Sequence, residues 1–234
     1  MAVSAYTKEI LCERHAALRE NIIIFHNTID PNFDFPFEFE KPNYLINRYR
    51  ITPKNKVVIT IARLSSTEQY KGYDQVIEAI AKLKNKDILY LIGGKYDDAE
   101  KQRLDLIIKM NKLEDNVYLT GYVNEFELTD HYLLADLFIM PSKKEGFGIV
   151  FIEAMACGLQ VIAGNKDGSV DALRNGELGY LINPDDNDQI SATIEKALNF
   201  PFKHNHKRIL QNKVIEYFGY EAYKNRLENI LYTI

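Results

Sequence analysis

The sequence predicts an α/β fold, a doubly wound parallel sheet, on two observations. From about residue 57 onward, short β-branched runs alternate with helical-period segments, the pattern of successive βαβ units. Glycines and charged residues then gather immediately after the strand runs, at Arg63–Leu64, Gly93–Gly94, Gly121–Val123, Pro141–Gly148 and Gly164–Ser169. In a sheet of this kind those positions are the carboxyl ends of the strands, where ligands bind near the topological switch point.

The elements follow in order. Residues Ser4 to about Leu18 read as a helix with Ser4 as N-cap, and Asn21–Phe25 (NIIIF) reads as a short buried strand. Residues 33–42 (FDFPFEFEKP) carry Pro36 and Pro42, which argue for a connector laid across a surface. Strands are expected at Val57–Ala62, Ile88–Ile92, Val117–Leu119, Leu137–Met140, Val161–Ala163 and Tyr180–Ile182. Helices are expected at Tyr73–Leu83, Asp98–Asn111, Glu125–Leu134, Gly148–Cys157, briefly after Ser169, at Asp188–Leu198, and as one long segment Lys207–Leu231.

Composition narrows the function classes. The 234 residues are 46% hydrophobic with a net charge of −4, which disfavours disorder and a nucleic-acid partner. Cys12 and Cys157 stand alone in apolar context, as two buried free thiols in a reducing, cytoplasmic setting would. His204 and His206 form an H-x-H pair inside KHNHKR, read as a solvated basic helix start; no metal site is assigned. The start Met1-Ala2-Val3-Ser4 has no signal-peptide pattern, and the most apolar stretch, Gly148–Gly164, is too short and interrupted to span a bilayer.

No GxGxxG follows the first sheet strand and no GxxxxGK[ST] occurs, so dinucleotide oxidoreductases and P-loop enzymes are poorly supported. A phosphate could still be held by Arg63, by Lys71 before Gly72, and by the free amides of the helix opened by Gly146-Phe147-Gly148. Arg63 and Lys71 taken singly are ordinary surface cations. Glu153 is more telling, because it sits in an apolar helix where an ionised carboxylate is costly without a partner; a salt bridge on the helix face would also serve. Eight residues of helix between Glu145 and Glu153 would rise roughly 12 Å. Paired glycosidase carboxyls stand about 5–9.5 Å apart. The spacing therefore suits one extended ligand touched at two places.

ARLSSTEQYKGYDQVIEAI, VYLTGYV, MPSKKEGFGIVFIEAMACGLQVIAG and NKDGSVDAL together resemble the group 1 (family four) retaining glycosyltransferases of the GT-B fold. Their E-x7-E motif falls on Glu145 and Glu153, and the likeness runs from about Asn21 to the C-terminus. It implies that Arg63 and Lys71 grip the donor diphosphate and stabilise it as it leaves, with Glu145 beside the transferred sugar. The backbone of Gly146, Phe147 and Gly148 would meet the sugar hydroxyls, with Ile149 and Val150 near the diphosphate. Glu153 would accept from the ribose, and Tyr122 and Val123 would line the base pocket. Transfer would proceed with retention and without a required metal or cofactor.

Two local departures stand out. The family's N-G-[VI]-D connector is Asn27-Thr28-Ile29-Asp30 here, and the loop from Arg63 to Lys71 is longer than in many members. The resemblance also divides the chain into a remnant of an N-terminal domain with its connector (1–35), a Rossmann-like nucleotide-sugar domain (36–200) and a helical segment returning toward the N-terminal domain (201–234). The expected partners are a UDP- or GDP-sugar and a glycan or lipid-linked acceptor met through that missing domain, with peripheral membrane association of the complete enzyme. Alone, the chain would bind donor but transfer poorly. A non-catalytic sugar-nucleotide subunit, an epimerase on the same architecture, and a purely structural domain are the alternatives.

Overall fold

The computed structural model describes residues 1–233 and contains one six-stranded parallel sheet. Its strands are β1 (Lys56–Ile61), β2 (Ile88–Gly93), β3 (Val117–Gly121), β4 (Leu137–Met140), β5 (Val161–Gly164) and β6 (Tyr180–Ile182). Their order is β3-β2-β1-β4-β5-β6, so the chain doubles back between β1 and β4, which pair through Val58–Leu137 and Ile59–Phe138. In sheets of this kind such a reversal opens a crevice at the carboxyl ends of the two strands concerned, here β1 and β4.

The two-residue period of the strands splits the core between the faces. Val57 and Ile59 of β1, with Phe138 and Met140 of β4, point to one side. There they meet α5 (Glu125–Leu134), α6 (Ile149–Ala156), the short α7 (Ser169–Ala172) and α9 (His204–Phe218). Val58, Leu137 and Ile139 point to the other side, into α3 (Tyr73–Leu83), α4 (Asp98–Met110) and α8 (Asn187–Asn199). Both faces are covered, so β2, β4 and β5 are buried along their whole length.

The N-terminal part departs from the sequence reading. Ser4 does cap α1 (Ala5–Arg14), with a reciprocal Ser4–Thr7 capping box, but the α-helix ends at Arg14 and a 3-10 turn follows at Ala16–Asn21. The NIIIF run is not a buried strand. It makes a single bridge, Ala2 with Ile24, and Ile23 and Ile24 are 42% and 38% exposed. A β-branched run becomes a strand only beside a partner edge, and the edges of the sheet lie elsewhere. The 33–42 segment is the expected connector, strapped down by Gln211 Nε2 donating to the Pro36 carbonyl at 3.0 Å and by Arg208 over the Phe39 ring. A short helix after it, α2 (Asn43–Arg48), has no sequence signal of its own beyond Pro42.

The expected long C-terminal helix is two helices. α9 ends at Phe218, and α10 (Tyr220–Thr233) begins after an extended Gly219. The break has a local cause: the Phe218 carbonyl accepts from the Ile29 amide (2.9 Å) and the Thr28 hydroxyl (2.9 Å). A carbonyl turned to the connector cannot also continue the helical ladder. Thr28, where the resembled family has glycine, thus acquires a hydrogen bond that only a hydroxyl supplies.

Cys12 and Cys157 are buried and free. His204 opens α9, 3.4 Å from Glu38, with both side chains exposed. No helix among the described residues is long and apolar enough to cross a membrane.

One buried acid ties α3 to α4 and to the Gln69 turn. Glu100 of α4 is fully buried and accepts from Tyr73 Oη (2.7 Å), Gln69 Nε2 (3.1 Å) and the Arg103 guanidinium (2.6 Å), which also reaches Asp74. Burial alone would raise its pKa, but these donors outweigh it and hold the carboxyl below its ordinary 4.5. Its stabilising contribution is therefore complete above that ordinary value and lost as pH falls through the lowered native one. Glu100→Ala is expected to cost about 3 kcal/mol by leaving Tyr73 without its acceptor and Arg103 with Asp74 alone of its two acids. Urea unfolding at neutral pH measures the loss, and the gap from the unmodified protein should narrow in acid.

Candidate functional site

The loops after β1 and β4 meet at the switch point. After β1 the chain runs to a 3-10 turn, Gln69–Lys71, whose cap Gly72 has φ of 79°. A Cβ at Gly72 would stand 2.6 Å from the Pro141 carbonyl oxygen, so only glycine lets the Lys71 turn settle on the end of β4. The Lys143 amide then donates to the Tyr70 carbonyl at 3.0 Å, stitching the two loops together. As a result Lys71 Nζ lies 3.4 Å from Glu145 Oε2 and 3.7 Å from Glu68 Oε2. Glu68 also pairs with Arg63, whose side chain is 74% exposed while that of Lys71 is 13% exposed.

A third loop, after β5, sets the height of Glu145. Asp167 accepts from the Glu145 amide (2.7 Å) and from the Ser169 amide (3.0 Å), and the Gly168 amide donates to the Glu145 carbonyl (2.8 Å). A Cβ on Gly168 would stand 2.0 Å from the Gly146 carbonyl oxygen. Gly146 therefore keeps its course only because residue 168 has no side chain.

Gly148 caps α6 with φ of 84°, so the opening amides of Ile149 and Val150 head a helix that starts at the crevice. Phe147 is buried, stacked 5.7 Å from the His26 ring, and His26 Nε2 lies 3.0 Å from Asp171 Oδ1. Asp171 also accepts from the Ala5 amide at 3.2 Å. The connector and α1 thus brace the 145–148 turn from outside.

Glu153 stands apart from the Lys71 cluster. It lies further along α6, accepts from Tyr132 Oη at 3.0 Å, and opens on a cavity of about 550 Å³ whose lining includes Asp30, Phe33, Phe126 and Asp130. Burial raises its pKa above 4.5, and the tyrosine hydrogen bond only partly offsets this. Tyr122 and Val123 follow β3. Tyr122 is 70% exposed, and Val123 packs against the β2 end, where a Cβ on Gly93 would stand 2.9 Å from it. The β3 end lies three strand spacings from β4, roughly 14 Å.

The structure thus gathers Arg63, Lys71 and Glu145 through Glu68 and sets Gly146–Val150 beside them, while Glu153 opens on a separate cavity and Tyr122–Val123 follow the end of β3. Sequence reading missed Glu68 and Asp167. The first carried a signal, an acid three residues before Lys71 inside a loop rich in turn formers; the second is the Asp of an Asp-Gly-Ser turn.

Residues 45–216 match the family profile described as Glycosyl transferases group 1. The mannosylfructose-phosphate synthase of Agrobacterium fabrum is 29% identical over 87% of this chain and 45% of its own length. A GDP-mannose-dependent alpha-(1-6)-phosphatidylinositol monomannoside mannosyltransferase of Mycobacterium tuberculosis is 30% identical over 66% of this chain and 41% of its own. Among solved structures, Anabaena HepE in complex with UDP and glucose superposes with a TM-score of 0.81 at 20% identity, over 100% of this chain and 62% of that one. The chain spans about half the length of the curated relatives it matches.

The raised pKa of Glu153 fixes the sign of a pH effect. The folded state holds this proton more tightly than the unfolded chain, so stability falls as pH rises from 4.5 through the raised native value. Glu153→Gln is expected to match or exceed the unmodified protein in melting temperature at neutral pH, with no such gain below pH 4.5. Gly168→Ala should instead lower the melting temperature at every pH, because the Gly146 backbone must move.

Proposed function

The chain belongs to the group 1 glycosyl transferases, and from that membership we propose that it is the donor-binding half of a retaining glycosyltransferase. It would take a sugar from a nucleoside diphosphate and serve its transfer to a glycan or lipid-linked acceptor. The observation that carries this reading is the contact of Lys71 with Glu145 at the switch point, with Arg63 one carboxylate away.

The chemistry follows from that pairing. As the glycosidic bond breaks, negative charge builds on the leaving diphosphate. Lys71 and Arg63 meet that charge, and the opening amides of α6 at Ile149 and Val150 add the positive end of a helix dipole. Losing one preorganised group of this kind costs about 2.7–4 kcal/mol in a transition state. Glu145 lies against Lys71, so the transferred sugar sits between the cations and the Gly146–Gly148 backbone, whose polar groups face its hydroxyls. No metal is assigned to the step.

Glu153 takes the ribose hydroxyls, and Tyr122 with Val123 lines the base pocket beyond it. The donor is a UDP- or GDP-sugar: HepE was crystallised with UDP and the M. tuberculosis relative is named for GDP-mannose. The acceptor half of the site would belong to an N-terminal domain of which residues 1–35 are a remnant with its connector, with residues 201–234 returning toward it. The complete enzyme works in the cytoplasm, at the membrane face.

Titration calorimetry with UDP, GDP and their nucleosides tests the assignment. Lys71→Ala is expected to weaken diphosphate binding by about 1.5–3 kcal/mol, the range for a charged hydrogen bond. Nucleoside binding should be unchanged. An equal loss for nucleoside and nucleoside diphosphate would sink the role given to Lys71. Glu153→Gln should weaken both ligands alike, since both carry the ribose.

A further inference from the structure

The loop between Arg63 and Lys71 carries an acid that the donor-site reading does not use. Glu68 turns its two carboxylate oxygens to two different cations: Oε1 meets the Arg63 guanidinium, and Oε2 lies 3.7 Å from Lys71 Nζ. Its side chain is 15% exposed, drawn in beneath an arginine that is itself mostly in solvent. Two anionic oxygens spread between two cations are what a phosphate group would present there.

Holding the loop does not require this contact. Ser66 is already bound to Asp97 through its amide (2.9 Å) and hydroxyl (3.1 Å), Gln69 to Glu100 at 3.1 Å, and the Tyr70 carbonyl to Lys143 at 3.0 Å. Charge matters more. Arg63 and Lys71 face Glu68 and Glu145, so the cluster is neutral as it stands. A polyanion approaching a neutral cluster gains little until one carboxylate withdraws. Glu145 is pinned at its amide and carbonyl by the Asp167–Gly168 loop. Glu68 is likewise held at its amide by Ser65 and at its carbonyl by the Lys71 amide, but its carboxylate touches both cations, so withdrawal of that one side chain uncovers the pair.

We propose that Glu68 is a tethered counter-anion for the Arg63–Lys71 pair. It bridges the two cations while the site is empty and swings out when a diphosphate takes its place. This rests on the assignment of Lys71 and Arg63 to the donor diphosphate. The carboxylate keeps two neighbouring cations from repelling each other in the empty site and competes with weaker anions for it. It thereby sets the affinity for diphosphate-bearing ligands without touching the sugar or the base.

Calorimetry on the full chain with UDP and GDP decides it. Glu68→Gln and Glu68→Ala should each tighten diphosphate binding about fivefold, the factor for two unit charges some 4 Å apart in water. Glu68→Asp, which keeps the charge, should bind as the unmodified protein does, and nucleoside binding should not change. The gain should shrink when Lys71→Ala is combined with Glu68→Gln, because Arg63 is then the one cation of the pair that Glu68 covers. Weaker or unchanged binding in both neutral variants, while Lys71→Ala still weakens binding, overturns the counter-anion and leaves the donor site standing. Indifference of UDP and GDP to Lys71→Ala and Glu68→Gln alike would remove the diphosphate site and this inference together.

Discussion

The site depends on one backbone contact, the seating of the Lys71 turn on the end of β4. Gly72 passes so close to the Pro141 carbonyl that no side chain fits, and Lys143 hydrogen-bonds across to Tyr70. Those two facts hold loops from strands 79 residues apart in register within ion-pair distance. A lysine on a long flexible stem would otherwise spread over many rotamers. Here it is confined between two acids, and the entropy of fixing its rotamer is lost on folding.

The rest of the fold repeats this arrangement at successive distances. Behind the turn, Gln69 hands the constraint to Glu100, which gathers Tyr73 of α3 and Arg103 of α4, and Arg103 reaches on to Asp74. On the other side Asp167 and Gly168 lock the Glu145 loop, and Asp171 joins His26 and the start of α1 to the same region. Each link pairs a charged or polar group with donors that remain when the protein is folded, the condition for placing carboxylates in a largely apolar layer.

The two acids of the E-x7-E motif differ in environment. Glu145 sits against a cation in a loop bound by its own backbone, whereas Glu153 accepts from a tyrosine hydroxyl and has its pKa pushed up by burial. A carboxylate short of donors accepts hydrogen bonds from a ligand at little cost, and one already paired with a cation shares that cation with a ligand.

Much of this was legible in the sequence. The alternation of VVITIA, LFIM and VIAG with helical-period segments determined a parallel doubly wound sheet, because a strand buried on both faces and a helix with one apolar stripe have few other ways to pack. Strand-end glycines and charges marked the crevice, and Arg63, Lys71 and Glu145 did come together there. Three matters were decided only by tertiary structure. NIIIF stays out of the sheet, since β propensity is realised only beside a free edge. The C-terminal helix breaks at Gly219, since Thr28 and Ile29 capture the Phe218 carbonyl from 190 and 189 positions away in the chain. Glu68 became a partner of both cations, since the direction of a loop side chain is set by which backbone groups the neighbouring loops leave it, and local sequence does not record that.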